Sequence, residues 1–505
     1  MTDLRVDEEE RETEVPSRLG MAALAQDVAI YGTTRVLLKS LAFLLVPLYA
    51  HFLAPSQFGI LELILATVAL VDVLLTANMD GVLARFYFDK DDPQWRRQVI
   101  TLYLAIETIY PALVVGALIA FSGTLSDWVT GSVAFASFFV IALVDLYLTN
   151  IVDLPMLLCR LRRKPLTFAF YSAVRGLTQI GFSVVLVAVW HLGVKGILIA
   201  SLISVCVAFV ITVREYYGDL TRRVDWRVGW EMVSFAAPGI VGGLAFYALN
   251  LINRFFINHY HGTADTGLFG VAFRYSQVVL VGVFAFRMGW TQWHYSWLNT
   301  ERHPEMVARG ANYYYFGAGF LAVLTAAWIL PVFHLVMPAA YWDATEAVAP
   351  LALAAVATGA YSLYTVGLAV TKRMRMIPIL SALGAAIAVG LYFLLIPPYS
   401  FQGAAWATAA AMTALAAIVH AFSNRIYPVP WEWRRIGLAV ILMTGLCLAA
   451  LAVDAWMPVA LSLPVRLGLT LAYPLVLFWA GFFPPGDVAA ARSRLPHLRS
   501  RPSNS

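Results

Sequence analysis

The sequence predicts an all-α polytopic membrane protein of about 14 transmembrane helices, built as two parallel six-helix lobes plus two C-terminal helices. Three observations lead there. Of 505 residues 60% are hydrophobic and 13% charged, with a mean hydropathy of +0.73. Soluble domains hold about 25% charged residues, and here the apolar residues gather in runs long enough to cross roughly 30 Å of hydrocarbon. The second observation is an internal repeat. The stretch from Pro47 to Gly59 and the stretch from Arg254 to Gly267 each end one apolar segment, break briefly, and enter the next through a glycine. An offset of 208 residues, Gly59 onto Gly267, carries the first six apolar segments roughly onto the next six. The third is the distribution of basic residues.

Taken in order, residues 1–22 form an acidic tail in which Asp3, Asp7, Glu8, Glu9, Glu10, Glu12 and Glu14 outnumber the arginines. A signal peptide is basic and then apolar, so this segment is read as an uncleaved cytoplasmic tail. The N-terminal lobe, 23–228, has expected spans at 25–52, 57–82, 98–122, 132–155, 165–190 and 192–213. The C-terminal lobe, 229–424, has them at 232–257, 267–289, 311–336, 347–370, 377–396 and 401–423. Two additional helices, near 436–456 and 464–484, fill residues 425–485, and 486–505 form a basic tail. Six spans per copy give both lobes the same orientation, so the repeat is parallel.

Charge fixes the direction. Loops after even-numbered spans and the C-terminal tail hold 25 Lys and Arg residues, grouped at 85–97, 160–164, 214–227, 287–309, 372–375, 425–435 and 492–501. Loops after odd-numbered spans hold two, Lys195 and Arg466. Both termini are therefore expected in the cytoplasm, in a multi-pass cytoplasmic (inner) membrane protein. The net charge of +5 is spread over many loops and forms no single basic surface, so nucleic acid is not an expected partner.

The chain lacks a phosphate-binding Gly-rich loop with Lys-Ser/Thr, a His-Glu-x-x-His motif and a Gly-x-Ser-x-Gly motif. Cys159, Cys206 and Cys447 have no ligand spacing, and His259 and His261 read as plain loop residues. No enzyme activity, metal or cofactor is expected.

The charges inside the spans carry the functional reading, because an Arg or Asp at the bilayer centre costs roughly 2.5–3.5 kcal/mol and marks a cavity or a partner. In the first lobe Arg35 and Lys39 share a helical face, Asp72 and Asp145 are central, and Glu107 and Arg175 lie at middle depth. Asp72, Glu107 and Asp145 are the expected ion-coupling residues, with an Asp145–Arg175 helix tie as the structural alternative. Glu62, Asp80 and Asp153 fall nearer span ends. The second lobe has no acid inside its spans, yet Tyr247, Asn250 and Arg254 fall on one helical face (i, i+3, i+7), as do Arg274 and Gln277. Fixed cations without acids suit an anionic substrate, and guanidinium suits phosphate oxygens. Arg35, Lys39, Tyr247, Asn250, Arg254, Arg274 and Gln277 are the expected substrate-binding residues.

Arg35, then Pro47-Leu-Tyr-Ala-x-x-Leu-x-Pro-x-x-Phe-Gly59, then Asp80-Gly-Val-Leu-Ala-Arg-Phe-Tyr-Phe, resembles the opening of the Wzx-type polysaccharide flippases of the multidrug/oligosaccharidyl-lipid/polysaccharide exporter superfamily. Asn250-x-x-Asn-Arg-Phe-Phe-Ile with Gly267-Leu-Phe-Gly-Val-Ala-Phe-Arg274 resembles the second-lobe counterpart, and Gly193-Val-Lys-Gly196 and Phe401-Gln-Gly-Ala-Ala-Trp-Ala-Thr408 open the sixth and twelfth spans similarly. The likeness covers roughly residues 20–480. It departs at Asn253, where the family carries an acid. The resemblance implies translocation of an undecaprenyl-diphosphate-linked oligosaccharide by alternating access for surface polysaccharide synthesis, and a groove for the lipid tail beside the two extra helices. It further implies coupling to a proton or sodium gradient, with membrane lipid and a polysaccharide polymerase as partners. A lipid II flippase, a multidrug exporter and a non-transporting scaffold of a polysaccharide assembly complex are the alternatives.

Overall fold

The computed structural model describes residues 43, 45–76 and 79–483, apart from the side chain of Gln292. The expected substrate contacts Arg35 and Lys39 lie outside the described residues, as does most of the first expected span, of which 45–52 is helical. The helices that follow are α1 (Pro55–Thr76), α2 (Met79–Tyr87), α3 (Pro93–Ala120), α4 (Ser122–Thr130), α5 (Ala136–Leu161), α6 (Pro165–Ser183), α7 (Gly193–Thr212) and α8 (Arg214–Tyr217). Next come α9 (Trp226–Ala236), α10 (Pro238–Asn250), α11 (Asn253–His261), α12 (Thr263–Ser296), α13 (His303–Val336), α14 (Thr345–Tyr364) and α15 (Val366–Val370). The last are α16 (Met376–Ile426), α17 (Trp433–Trp456) and α18 (Val459–Trp479). No strand occurs among the described residues.

Twelve helical elements among these residues are long and apolar enough to cross a membrane. The protein is an all-α, multi-pass membrane protein. At 51 residues, α16 holds enough residues for two crossings of about 20 residues each. It contains Pro397, Pro398 and a non-helical Ser400 (φ 48°), so the spans expected at 377–396 and 401–423 form one element with a break.

Local sequence sets the boundaries. Asp92 caps α3, its carboxylate accepting from the amides of Gln94 and Trp95, and Pro93 starts the helix where a missing N–H costs nothing. Asp225 caps α9 in the same way, through the Arg227 amide. Gly262, at φ 90°, ends α11 and permits the turn into α12.

The helices form two compact units. The first comprises the described residues up to Val271, with Met337–Tyr341 and Ile377–Ala404. Within it α5 packs on α3 and α7, and α6 packs on α7. Met79, Leu83, Tyr103, Leu157 and Met232 form a core shared by α2, α3, α5 and α9. The second comprises Ala272–Val336, Trp342–Met376 and the described residues from Ala405 on. There α13 packs against α14, α17 and α18. The Tyr473 phenol donates to Tyr315 O (2.8 Å), and Trp328 Nε1 donates to Thr470 Oγ1 (3.0 Å).

Inside the first unit the repeat becomes a contact. A methyl group on Gly59 would overlap the Thr263 carbonyl and lie 3.0 Å from Gly267 N. One on Gly267 would overlap the Pro55 carbonyl and lie 2.9 Å from Gly59 N. Each glycine rests on the carbonyl four residues before the other. Only glycine lets two backbones approach this closely.

Candidate functional site

Four acids of the first unit lie near one another, and Asp145 is separate from them. Glu107, on α3, is 2% exposed. It lies within electrostatic range of Asp72 on α1, Asp80 on α2 and Asp153 on α5. One turn before it, the Tyr103 phenol donates to Asp80 Oδ1 (2.9 Å), and Arg160 pairs with the other Asp80 oxygen (3.4 Å). Glu107 Oε1 is buried with no hydrogen-bond partner among the described residues. Asp145 stands apart, its Oδ2 accepting from Ser201 Oγ at 3.1 Å.

The expected Asp145–Arg175 tie is not the contact that forms. Arg175 donates to Thr149 Oγ1 (3.2 Å) and faces Asp153 at 3.9 Å. Four and eight residues separate Asp145 from Thr149 and Asp153, so all three share one face of α5 and the guanidinium settles further along it. Of the expected coupling residues the fold therefore brings Asp72 and Glu107 together, and adds Asp80 and Asp153. Tyr103 and Glu107, four residues apart on one helix, were the sequence signal for this cluster.

The second-lobe arginine Arg254 is 2% exposed and fully engaged. Its Nε donates to Glu62 Oε2 at 3.2 Å, and Nη1 donates to Asn253 Oδ1 at 3.0 Å and to the Asn250 carbonyl. The guanidinium also lies over the Phe269 ring, 5.2 Å from its centroid. The second lobe's own spans offer no acid to neutralise Arg254. Glu62, 5% exposed and contributed by α1, does so. Asn253 itself contributes its side-chain oxygen to the same guanidinium, and the carboxylate comes from another helix. The signal was in the repeat: the same offset of 208 sets Glu62 against Gly270, and Glu62 packs where a Gly270 side chain would stand.

The single face of Tyr247, Asn250 and Arg254 is also revised. The helix breaks at 251–252, between α10 and α11, which frees the Asn250 carbonyl for Arg254. Tyr247 is 4% exposed, and its hydroxyl has no partner among the described residues. Arg274 and Gln277 are half-buried on α12.

Arg466 does not lie in an outer loop. It sits within α18, fully buried, with Nη2 at 2.6 Å from Asp454 Oδ1, Nε donating to Ser462 Oγ (2.7 Å) and Nη1 to the Ala327 carbonyl (2.7 Å). His259 and His261 lie in the last turn of α11 and not in a loop, and His261 ties that helix to α16 near its break, its Nε2 at 2.9 Å from Ile396 O and 3.1 Å from Pro397 O. No group of three metal-ligating side chains occurs among the described residues. An apolar cleft of about 540 Å³ opens in the first unit beside Leu75, Ile106 and Ile240, and one of about 820 Å³ in the second beside Ala409, Ala417 and Met443.

The family model described as polysaccharide biosynthesis protein matches residues 24–289. No curated protein matches the sequence. Among solved structures, the fold is similar to lipid II flippase MurJ in an inward closed conformation, with a TM-score of 0.70 at 12% identity, over 91% of this chain and 100% of that one. It is similar to an inward-facing multidrug resistance MATE family transporter of the MOP superfamily, with a TM-score of 0.61 at 13% identity, over 80% and 94%. A MATE protein in the straight conformation gives 0.56 at 14%, over 83% and 96%.

Proposed function

The chain belongs to the polysaccharide biosynthesis protein family, and from that premise we propose that it flips an undecaprenyl-diphosphate-linked oligosaccharide across the cytoplasmic membrane for surface polysaccharide synthesis. The cycle is alternating access, with six-helix lobes at 23–228 and 229–424, both termini in the cytoplasm, and a proton or sodium ion as the coupled species. Asp72, Glu107 and Asp145 are the proposed coupling residues. Arg274, with Gln277 one turn on, is proposed to receive the diphosphate. Arg254 is held by Glu62 in this state, and Arg35 and Lys39 remain proposed contacts on sequence grounds.

The observation that favours transport over scaffolding is Glu107. A carboxylate 2% exposed, with one oxygen lacking a hydrogen-bond partner among the described residues, is a costly structural element but a natural ion-binding one. A scaffold gains nothing from it.

The test is deletion of the gene followed by measurement of lipid-linked oligosaccharide in each leaflet. The proposal expects the repeat unit to accumulate facing the cytoplasm and surface polysaccharide to disappear, both restored by the wild-type chain. A second reading is lipid II transport, favoured by the full-length fold likeness to MurJ. Accumulation of peptidoglycan precursor instead of the polysaccharide repeat unit would select it.

A further inference from the structure

Glu62, Arg254 and the Gly59–Gly267 crossing form one assembly within the first unit. Glu62 lies at the end of the second turn of α1, three residues after Gly59, and is 5% exposed. It sits between Arg254 of α11 and the bare backbone of Gly270 on α12. The turn that joins α11 to α12 is made at Gly262, in a conformation open to glycine (φ 90°). One carboxylate thus holds both arms of a helix pair against α1.

The two kinds of contact here differ in what they ask of a separation. Backbone laid on backbone at Gly59 and Gly267 has no interlocked side chains, so parting the helices requires no rotamer to be forced through a neighbour. A buried ion pair adds little stability over an apolar pair of similar volume, because desolvation consumes the Coulombic gain. Losing one partner is costly all the same, since the other is then left charged and buried. A crossing of bare backbone beside a buried ion pair is the composition of a latch, not of a permanent joint.

We propose that Glu62 is a positioning residue of the transport cycle: it latches α1 to α11 and α12 through Arg254 and closes the path at the Gly59–Gly267 crossing, which the topology above sets at the outer face. This rests on the transport reading. Opening the path means Glu62 and Arg254 part and the crossing separates.

The test reads the crossing directly. Thr266, beside Gly267 and 0% exposed, is replaced by cysteine in a chain whose Cys159, Cys206 and Cys447 are changed to alanine. Intact cells are treated with a membrane-impermeant maleimide. The parent chain should label slowly, and Glu62→Gln, which keeps shape and loses charge, should label roughly tenfold faster. Glu62→Asp, which keeps charge but cannot span 3.2 Å unchanged, should fall between them and guards against a Gln variant that fails to reach the membrane. Exchanging the pair, Glu62→Arg with Arg254→Glu, should slow labelling again. Equal labelling of the parent, Glu62→Asp and Glu62→Gln at matched protein level would overturn the latch. The readout needs no substrate. Altered labelling without polysaccharide flipping would leave the latch standing and remove the flippase reading, and the reverse pattern would do the opposite.

Discussion

Arg466 and Asp454, on consecutive helices α18 and α17, form an ion pair of 2.6 Å in which the arginine is fully buried and also holds the Ala327 carbonyl of α13. The pair anchors the C-terminal hairpin to the helix it packs on. Arg466→Met alone should destabilise the protein by about 3–5 kcal/mol, because Asp454 is left charged and buried. Arg466→Met combined with Asp454→Leu should recover most of the loss. Thermal unfolding of detergent-purified protein checks the order wild type ≈ double > single, and equal stability of single and double variants would count against the anchor.

The glycine crossing makes a sharper demand. Gly59→Ala and Gly267→Ala each set a methyl group onto a backbone carbonyl that has no rotamer to yield. Overpacking of this kind costs about 1–3 kcal/mol or more. Both variants should unfold earlier than Gly116→Ala, where the added methyl meets open space. A Gly59→Ala protein as stable as Gly116→Ala would show that the helices do not meet so closely.

These two features differ in how visible they were in the sequence. The apolar runs made the spans legible, and the repeated Gly59 and Gly267 stretches marked where the copies correspond. The partner of Arg254 was not legible locally, because 192 residues separate it from Glu62, and only the repeat offset that sets Glu62 against Gly270 hinted at it. The helix break after Asn250 was hidden as well, since Leu251 and Ile252 continue the apolar run without a proline or glycine. Arg466 looked like a loop residue because charge alone signals a boundary, and its burial depends on Asp454 and Ala327 meeting it from other helices. Register along one helix is readable. Pairing between helices is a property of the packed bundle.

Orientation is open to direct labelling. On the basic asymmetry, the exposed Thr124 and Ala340 are expected outside and the exposed Asp91 inside. Single cysteines at the first two should react with an impermeant thiol reagent on intact cells, and one at Asp91 only after permeabilisation. Labelling at Asp91 from outside would invert the topology.

For coupling, Asp72→Asn, Glu107→Gln and Asp145→Asn should weaken the dependence of transport on an imposed proton or sodium gradient more than they lower protein level. Glu107→Gln should have the largest effect, as Glu107 is the most buried of the three and Asp145 already has Ser201 as a partner. Normal gradient dependence in all three would remove this group from the mechanism.

Arg274 is tested by a graded series. A charged hydrogen bond to phosphate is worth about 1.5–3 kcal/mol net, so Arg274→Ala should lower substrate affinity roughly ten- to a hundredfold. Arg274→Lys should rescue only part, because a point charge cannot reproduce the guanidinium fork. Complementation of surface polysaccharide at matched membrane levels checks the order Arg > Lys > Ala. Full activity of Arg274→Ala would exclude it as a phosphate contact.

The Gly59–Gly267 crossing also constrains biogenesis. Residues so distant in the chain cannot meet until the ribosome has made most of the second copy's first two spans. Until then Glu62 has neither Arg254 to pair with nor Gly270 to pack on, and a carboxylate waits in the nascent bundle without its partner. Nascent chains arrested before residue 254 should therefore be shorter-lived in the membrane than those arrested after residue 275, and Glu62→Leu should erase the difference. On this expectation the contact is a checkpoint in assembly, passed once the second copy's first two spans have been made.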